Sequence, residues 1–154
     1  MEYSIRPCEQ RDLPCVIALC DRHAAYEQAV YCSTGKLESL KEAIFSSAPS
    51  LYCYVVESAA NVVGYFTYTL DFSTWDAQRF LYLDCLYLVP EYRSLGIGEK
   101  VFEILREIAS ELHCVNIQWQ TPIFNVRAVK FYTRIGGQAK EKMRFSLDPL
   151  SKFA

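Results

Sequence analysis

The run Arg93-Ser94-Leu95-Gly96-Ile97-Gly98 stands between an apolar segment that breaks at Pro90 and a helical pattern that opens at Gly96. Glycines at such a point let successive backbone N–H groups crowd together and face outward. The helix N-terminus adds the positive end of its dipole, so the loop has the chemistry of a diphosphate cradle. It is neither of two better-known phosphate loops. A GxGxxG fingerprint fails because Gly98 is followed by Glu99, Lys100 and Val101, and a GxxxxGK[ST] loop fails at Glu99. A strand-to-helix turn that uses glycine only for its shape is the plainer alternative.

Other single residues invite chemistry. Asp84 interrupts the apolar run RFLYLDCLYLV. A carboxylate there is costly unless it is solvated, paired, or placed beside a cation such as an amine. Glu27 follows Tyr26 at the end of a helical pattern, as a solvated helix-end charge or a second amine partner. Tyr132, beside Phe131, is either a core aromatic or a phenolic proton donor. Cys85 has no basic neighbour in sequence and reads as a core residue rather than a covalent carrier. The seven cysteines are odd in number and form no CxxC pair, and His23 and His113 are the two histidines. No metal site and no disulfide framework is expected from them.

The elements that must position these residues follow from periodicity and breakers. YSIRPC reads as a strand stopped by Pro7, with Asp12 as a cap. LPCVIALCDRHAAYE is a helix carrying Pro14 in its first turn. KLESLKEAIFSS is a second, amphipathic helix. LYCYVVES and VVGYFTYTLDF flank Ala59-Ala60-Asn61 as a hairpin, and RFLYLDCLYLV is a central strand. Ile97, Val101, Phe102, Leu105, Ile108, Ala109 and Leu112 fall on one helix face. CVNIQWQT returns to strand, NVRAVKFYTRI is a helix closed by Gly136-Gly137, and QAKEKMRFSLD is a last hairpin or pair of short strands. The order predicts an α/β fold with a mixed sheet in one domain, residues 1–154. A net charge of −2 argues against a nucleic-acid partner. No apolar run reaches the ~20 residues of a membrane span, and the N-terminus lacks a signal layout, so no membrane partner and a cytoplasmic location are expected.

Arg-x-x-Gly-x-Gly after a strand and before a helix resembles the coenzyme A signature of the GNAT acetyltransferases. Asn125-Val126-Arg127-Ala128, Phe131-Tyr132 and Ile135-Gly136-Gly137 resemble the downstream pattern of that family, and IRPCEQRDL resembles its opening. YLDCLYLVPEYRSLGIG, FSTW and Ala25-Tyr26-Glu27 are similar to the diamine (spermidine/spermine-type) branch. The resemblance implies transfer of acetyl from acetyl-CoA to the primary amine of a small molecule, by direct attack in a ternary complex. Two splayed parallel strands, LDCLYLV and CVNIQWQT, would receive the cofactor arm. Backbone groups of Leu86, Tyr87 and Leu88 would pair with the pantetheine, an N–H near Leu86 also serving the oxyanion. Arg93 opens the signature, and Ser94, Leu95, Gly96, Ile97, Gly98 and Glu99 would hold the diphosphate. Asn125 and Ala128 would meet the cofactor chain, with Tyr132 as general acid.

Asp84 would act beside the amine as attractor or base relay, with Tyr26, Glu27, Gln118, Trp119 and Gln120 lining the acceptor pocket. The same resemblance implies a homodimer. Two departures from the polyamine pattern are Cys85, where a second acid is common, and Gln28-Ala29-Val30, where an acidic run is common. They point to a shorter or amino acid-like amine. The competing readings are a non-catalytic acyl-CoA-binding module and an enzyme acting on a protein N-terminus or lysine.

Overall fold

The computed structural model describes residues 2–152. Two compact units separate, Met1–Pro122 and Ile123–Ala154. The first holds β1 (Ser4–Pro7), α1 (Leu13–Tyr26), α2 (Lys36–Phe45), β2 (Tyr52–Ser58), β3 (Asn61–Ser73), β4 (Gln78–Leu88), α3 (Ile97–Glu111) and β5 (Ile117–Gln118). The second holds α4 (Val126–Arg134). The sheet runs β1-β2-β3-β4-β5; every pair is antiparallel except β4–β5, which is parallel. This is the mixed α/β sheet expected from the order of elements.

The core lies where α1 covers the sheet. Leu13, Val16 and Leu19 of α1 are buried with Val55, Val63, Tyr65, Tyr87 and Val89. The face read for α3 is buried at Ile97, Val101, Phe102, Leu105 and Ala109. The β2–β3 turn places Ala59 and Ala60 both in the left-handed region, with φ of 47° and 62°. That is the backbone a two-residue hairpin turn demands, although neither residue favours it.

Asp12 does not cap α1 through its side chain. Its buried carboxylate turns back to take both Arg6 Nη atoms, at 2.7 and 3.0 Å, and the Glu9 N–H at 2.8 Å. Arg6 also donates from Nε to Glu57 of β2 at 2.6 Å. The Arg6 hydrogen bonds hold the Asp12 carboxyl below its ordinary range. The N-terminal strand, the first turn and β2 are thereby tied at one point.

Two expectations change. CVNIQWQT forms a strand only at Ile117–Gln118, because Trp119 leaves the sheet to set its ring edge-on against Phe102 of α3, centroids 4.9 Å apart. Residues 138–148 form no strand among the described residues, and all of 138–152 are exposed. Met143, Phe145 and Leu147 keep a strand-like alternation, but no neighbouring strand offers them a ladder. The C-terminal run FSLDPLSKFA ends in two residues, 153 and 154, that lie outside the described set.

Candidate active site

The helix α3 begins on Gly96, whose φ is 79°, two residues after Ser94 with φ of 62°. Two left-handed residues flanking Leu95 swing the chain from β4 into the helix. The Gly96 carbonyl accepts the first helical bond, from the Lys100 N–H at 3.1 Å. The N–H groups of Ile97 and Gly98 therefore have no acceptor within the helix. The Ile97 side chain is buried and anchors this end, while Ser94, Leu95, Gly96 and Glu99 are exposed. A Cβ at Gly96 would meet nothing within 4 Å. The loop is open, rigidly seated and rich in outward donors, which fits a diphosphate.

Arg93 does something other than stand in that loop. Its Nε donates to the Leu88 carbonyl at 2.7 Å. Its guanidinium lies over the rings of Tyr26 and Tyr87, 4.6 and 5.2 Å from their centroids. The Arg of the signature thus fastens the loop to the end of β4 and to the end of α1, and Tyr26 is its lower platform.

The edge of β4 is the second element of the site. Parallel pairing with β5 covers Leu81↔Ile117 and Tyr82↔Gln118 and then stops. On its other side β4 stays paired to β3 as far as Leu88↔Gly64. Val89 donates to Val63 at 3.0 Å, and antiparallel ladders alternate. The backbone groups of Tyr87 and Cys85 consequently face β3, and those of Leu86 and Leu88 face the side that β5 has left. Of the three residues expected to offer backbone to a cofactor arm, Tyr87 turns its peptide groups to β3. The Leu88 carbonyl is taken by Arg93, so the Leu86 N–H and C=O and the Leu88 N–H are the groups presented. Gly64 makes the close packing behind them feasible, since a Cβ there would sit 2.5 Å from Leu88 Cδ2 and 2.8 Å from the Tyr87 carbonyl.

Asp84 occupies a β-bulge. Thr67 pairs with Cys85 and Tyr68 with Leu83, leaving Asp84 without an opposite residue. The bulge turns its carboxylate to solvent, which removes the cost foreseen for an acid in an apolar strand. The Cys85 thiol donates to Asp84 Oδ2 at 3.7 Å. Burial, with the Asp84 charge second, pushes that thiol up to about 12. A thiol so protonated is a poor nucleophile. Cys32 is the opposite case, fully exposed and lowered by hydrogen bonds from Thr34. Iodoacetamide at pH 8 is expected to alkylate Cys32 readily and Cys85 about a hundredfold more slowly. Peptide mass spectrometry over time checks this, and comparable rates at the two would contradict the buried, protonated state of Cys85.

On β5 and after it, Gln118 Nε2 donates to Asn116 Oδ1 at 3.1 Å, and Gln120 Nε2 donates to the Tyr82 hydroxyl at 2.8 Å. Trp119 is half-buried against α3, so of these three residues the glutamines are the exposed ones.

One cluster was not foreseen. His23 Nδ1 lies 3.0 Å from the Tyr65 hydroxyl, and its Nε2 lies 3.2 Å from Glu27 Oε1. The imidazole stacks on Tyr87, centroids 5.3 Å apart. The i,i+4 spacing of His23 and Glu27 on one helix face was the available signal.

In the second unit, Asn125 caps α4, its Oδ1 accepting from the Ala128 N–H at 3.3 Å. Tyr132 is half-buried with its ring 5.3 Å from that of Phe131. The helix closes as expected. Gly136 has φ of 92°, and Gly137 N–H donates to the Tyr132 carbonyl at 2.8 Å. Among the described residues no group of three or more His, Cys, Asp or Glu is placed to hold a metal ion, and no helix is long and apolar enough to cross a membrane.

Comparison with known proteins agrees with this geometry. The thialysine N-epsilon-acetyltransferase of Bos taurus is 32% identical over 142 residues, covering 87% of this chain and 83% of its own. The human spermidine/spermine N(1)-acetyltransferase-like protein 1 is 27% identical over 87% of this chain and 20% of its own length. Among solved structures, an aminoglycoside N-acetyltransferase in complex with CoA superposes with a TM-score of 0.79 at 14% identity, covering 96% of this chain and 95% of its own. The first two of these relatives fit the diamine-type branch. The acetyltransferase (GNAT) family model matches residues 17–137, and the chain belongs to that family of acyl-CoA-dependent N-acetyltransferases.

Proposed function

We propose that this protein moves acetyl from acetyl-CoA to the primary amine of a small diamine or amino acid-like molecule, by direct attack within a ternary complex. The observation that carries the reading is the β4 edge. Leu86 and Leu88 turn hydrogen-bonding groups to the side β5 has left, next to the open N-terminus of α3. An extended pantetheine fits there as a strand would, its diphosphate at Ser94–Glu99. The Leu86 N–H is a fixed donor for a carbonyl oxygen gaining charge. Leu95 and Ile97 contribute through their peptide N–H groups, and Arg93 contributes by holding the loop.

Asp84 and Glu27 supply the negative charge that attracts a cationic amine, and Asp84 relays the proton the amine must lose before attack. Gln118, Gln120 and Tyr26 border the acceptor, and Trp119 backs them. Asn125 and Ala128 meet the cofactor chain, and Tyr132 protonates the departing thiolate. The relatives named for thialysine and spermidine/spermine act on amines of this class, which supports a small acceptor. Chain 1–154 works as one acetyltransferase domain, since the family match crosses both compact units. Exposed Met143, Phe145 and Leu147 support a homodimer, to be measured by light scattering.

A screen of acetyl-CoA consumption across polyamines, basic amino acids, aminoglycosides and peptides tests the proposal. Turnover is expected with short diamines or lysine-like amino acids. Turnover confined to peptides, or none with any amine, would overturn it.

A further inference from the structure

Glu27, His23 and Tyr65 form a hydrogen-bonded row from the solvent-facing end of α1 to the inside of the sheet. The Glu27 side chain is 34% exposed and that of His23 is 13% exposed. An ionised carboxylate only accepts, so the proton on the facing nitrogen is His23 Nε2–H. A neutral imidazole then accepts at Nδ1, and the Tyr65 hydroxyl donates to it. Tyr65 is 1% exposed; its hydroxyl also interacts with the thiols of Cys20 and Cys85. The row is thus fixed in place. It is anchored on a core tyrosine, clamped flat by stacking on Tyr87, and ends on one oxygen of Glu27.

The row's position matters. Tyr87 lies between Leu86 and Leu88, whose backbone groups face the open edge. Tyr26, the residue before Glu27, lies under Arg93, which grips Leu88. The end of α1 is therefore tied to the same half of β4 that presents those groups. A half-exposed carboxylate held there by a histidine is poised, whereas a free helix-end glutamate would sample many rotamers. At the other end of the same contacts, the Cys85 thiol reaches Asp84 Oδ2.

We propose that His23 is a positioning residue for the amine acceptor, holding the Glu27 carboxylate by one oxygen so that the other faces the ammonium group. This rests on the amine-acetylating activity proposed above. His23 does not itself touch the acceptor, both of its nitrogens being engaged within the protein. It acts on acceptor binding and leaves the cofactor and the chemical step alone.

The test is steady-state kinetics with an amine that the wild-type protein acetylates. His23→Leu fills the same space and removes both hydrogen bonds. It is expected to raise the amine KM roughly tenfold, the effect of losing one charge-assisted hydrogen bond. kcat and the acetyl-CoA KM stay within about twofold. His23→Gln, whose amide accepts from Tyr65 and donates to Glu27, is expected to recover most of the amine KM. Glu27→Gln is expected to match His23→Leu, and the double variant is expected to be no worse than either single one. An unchanged amine KM in His23→Leu, a His23→Gln variant as weak as His23→Leu, or an equal fall in kcat would overturn the role of His23 while the activity stood. A wild-type protein that acetylates no amine would overturn the activity reading itself, and the role of His23 with it.

Discussion

Gly96→Glu is expected to abolish acetyl-CoA binding while leaving the fold in place. Gly96 has a φ of 79°, where an L-residue carries about 1–2 kcal/mol of strain. A Cβ there meets no atom within 4 Å, so the substitution jams nothing in the core. The glutamate side chain instead stands at the mouth of the Ile97 and Gly98 N–H groups and sets a carboxylate where a diphosphate must sit. Bulk and like charge act together, and affinity is expected to fall by roughly a hundredfold or more. Gly96→Ala separates the terms, because it carries the strain without the charge and loses far less. Calorimetric titration with acetyl-CoA measures both, with thermal melts to confirm folding. Unchanged affinity in Gly96→Glu would remove the loop from the cofactor site.

Tyr132→Phe carries the second large effect. The substitution keeps the ring beside Phe131 and the backbone carbonyl that receives the Gly137 N–H, so α4 and its C-terminal cap are retained. What disappears is the phenolic hydroxyl, and with it the proton. A positioned acid contributes about 10²–10⁴-fold to a chemical step, and kcat is expected to fall by about that factor. Acetyl-CoA affinity and melting temperature should stay near wild type. Pre-steady-state rapid quench, under conditions where chemistry limits the rate, makes the measurement. Full retention of kcat would pass the proton to water or to another residue. Acetyl trapped on Cys85 would replace direct attack by a covalent route.

The parts of the site that are local in sequence are legible from the residues alone. The loop from Arg93 to Gly98 announces itself by its glycines, the α3 face by its period, and the end of α4 by Gly136. What could not be read depends on pairing between distant segments. The bulge at Asp84 exists only because β3 takes up Thr67↔Cys85 and Tyr68↔Leu83. A one-residue slip of that kind has no signature in either strand alone. In the sequence Arg93 only opens the signature, and the packing of α1 shows it gripping the Leu88 carbonyl with its guanidinium over two tyrosine rings. His23 was considered only for metal binding, because its partner Tyr65 lies 42 positions away. The alternation of Met143, Phe145 and Leu147 reads as strand, yet a strand requires a second edge.

The β4 edge also bears on solubility. A row of unpaired ladder groups is ordinarily an invitation to another chain and a route to aggregation. Here the row begins only where β5 turns away, and Gln120 reaches back across that point to the Tyr82 hydroxyl. Leu86 and Leu88 are partly buried, and Arg93 has already claimed one of the carbonyls. A neighbouring protein's strand would need several residues of uninterrupted edge to gain a foothold. What remains is too short for that, and long enough for a slender, flexible ligand. The fold therefore leaves a short edge open inside a sheet while offering a foreign strand little purchase.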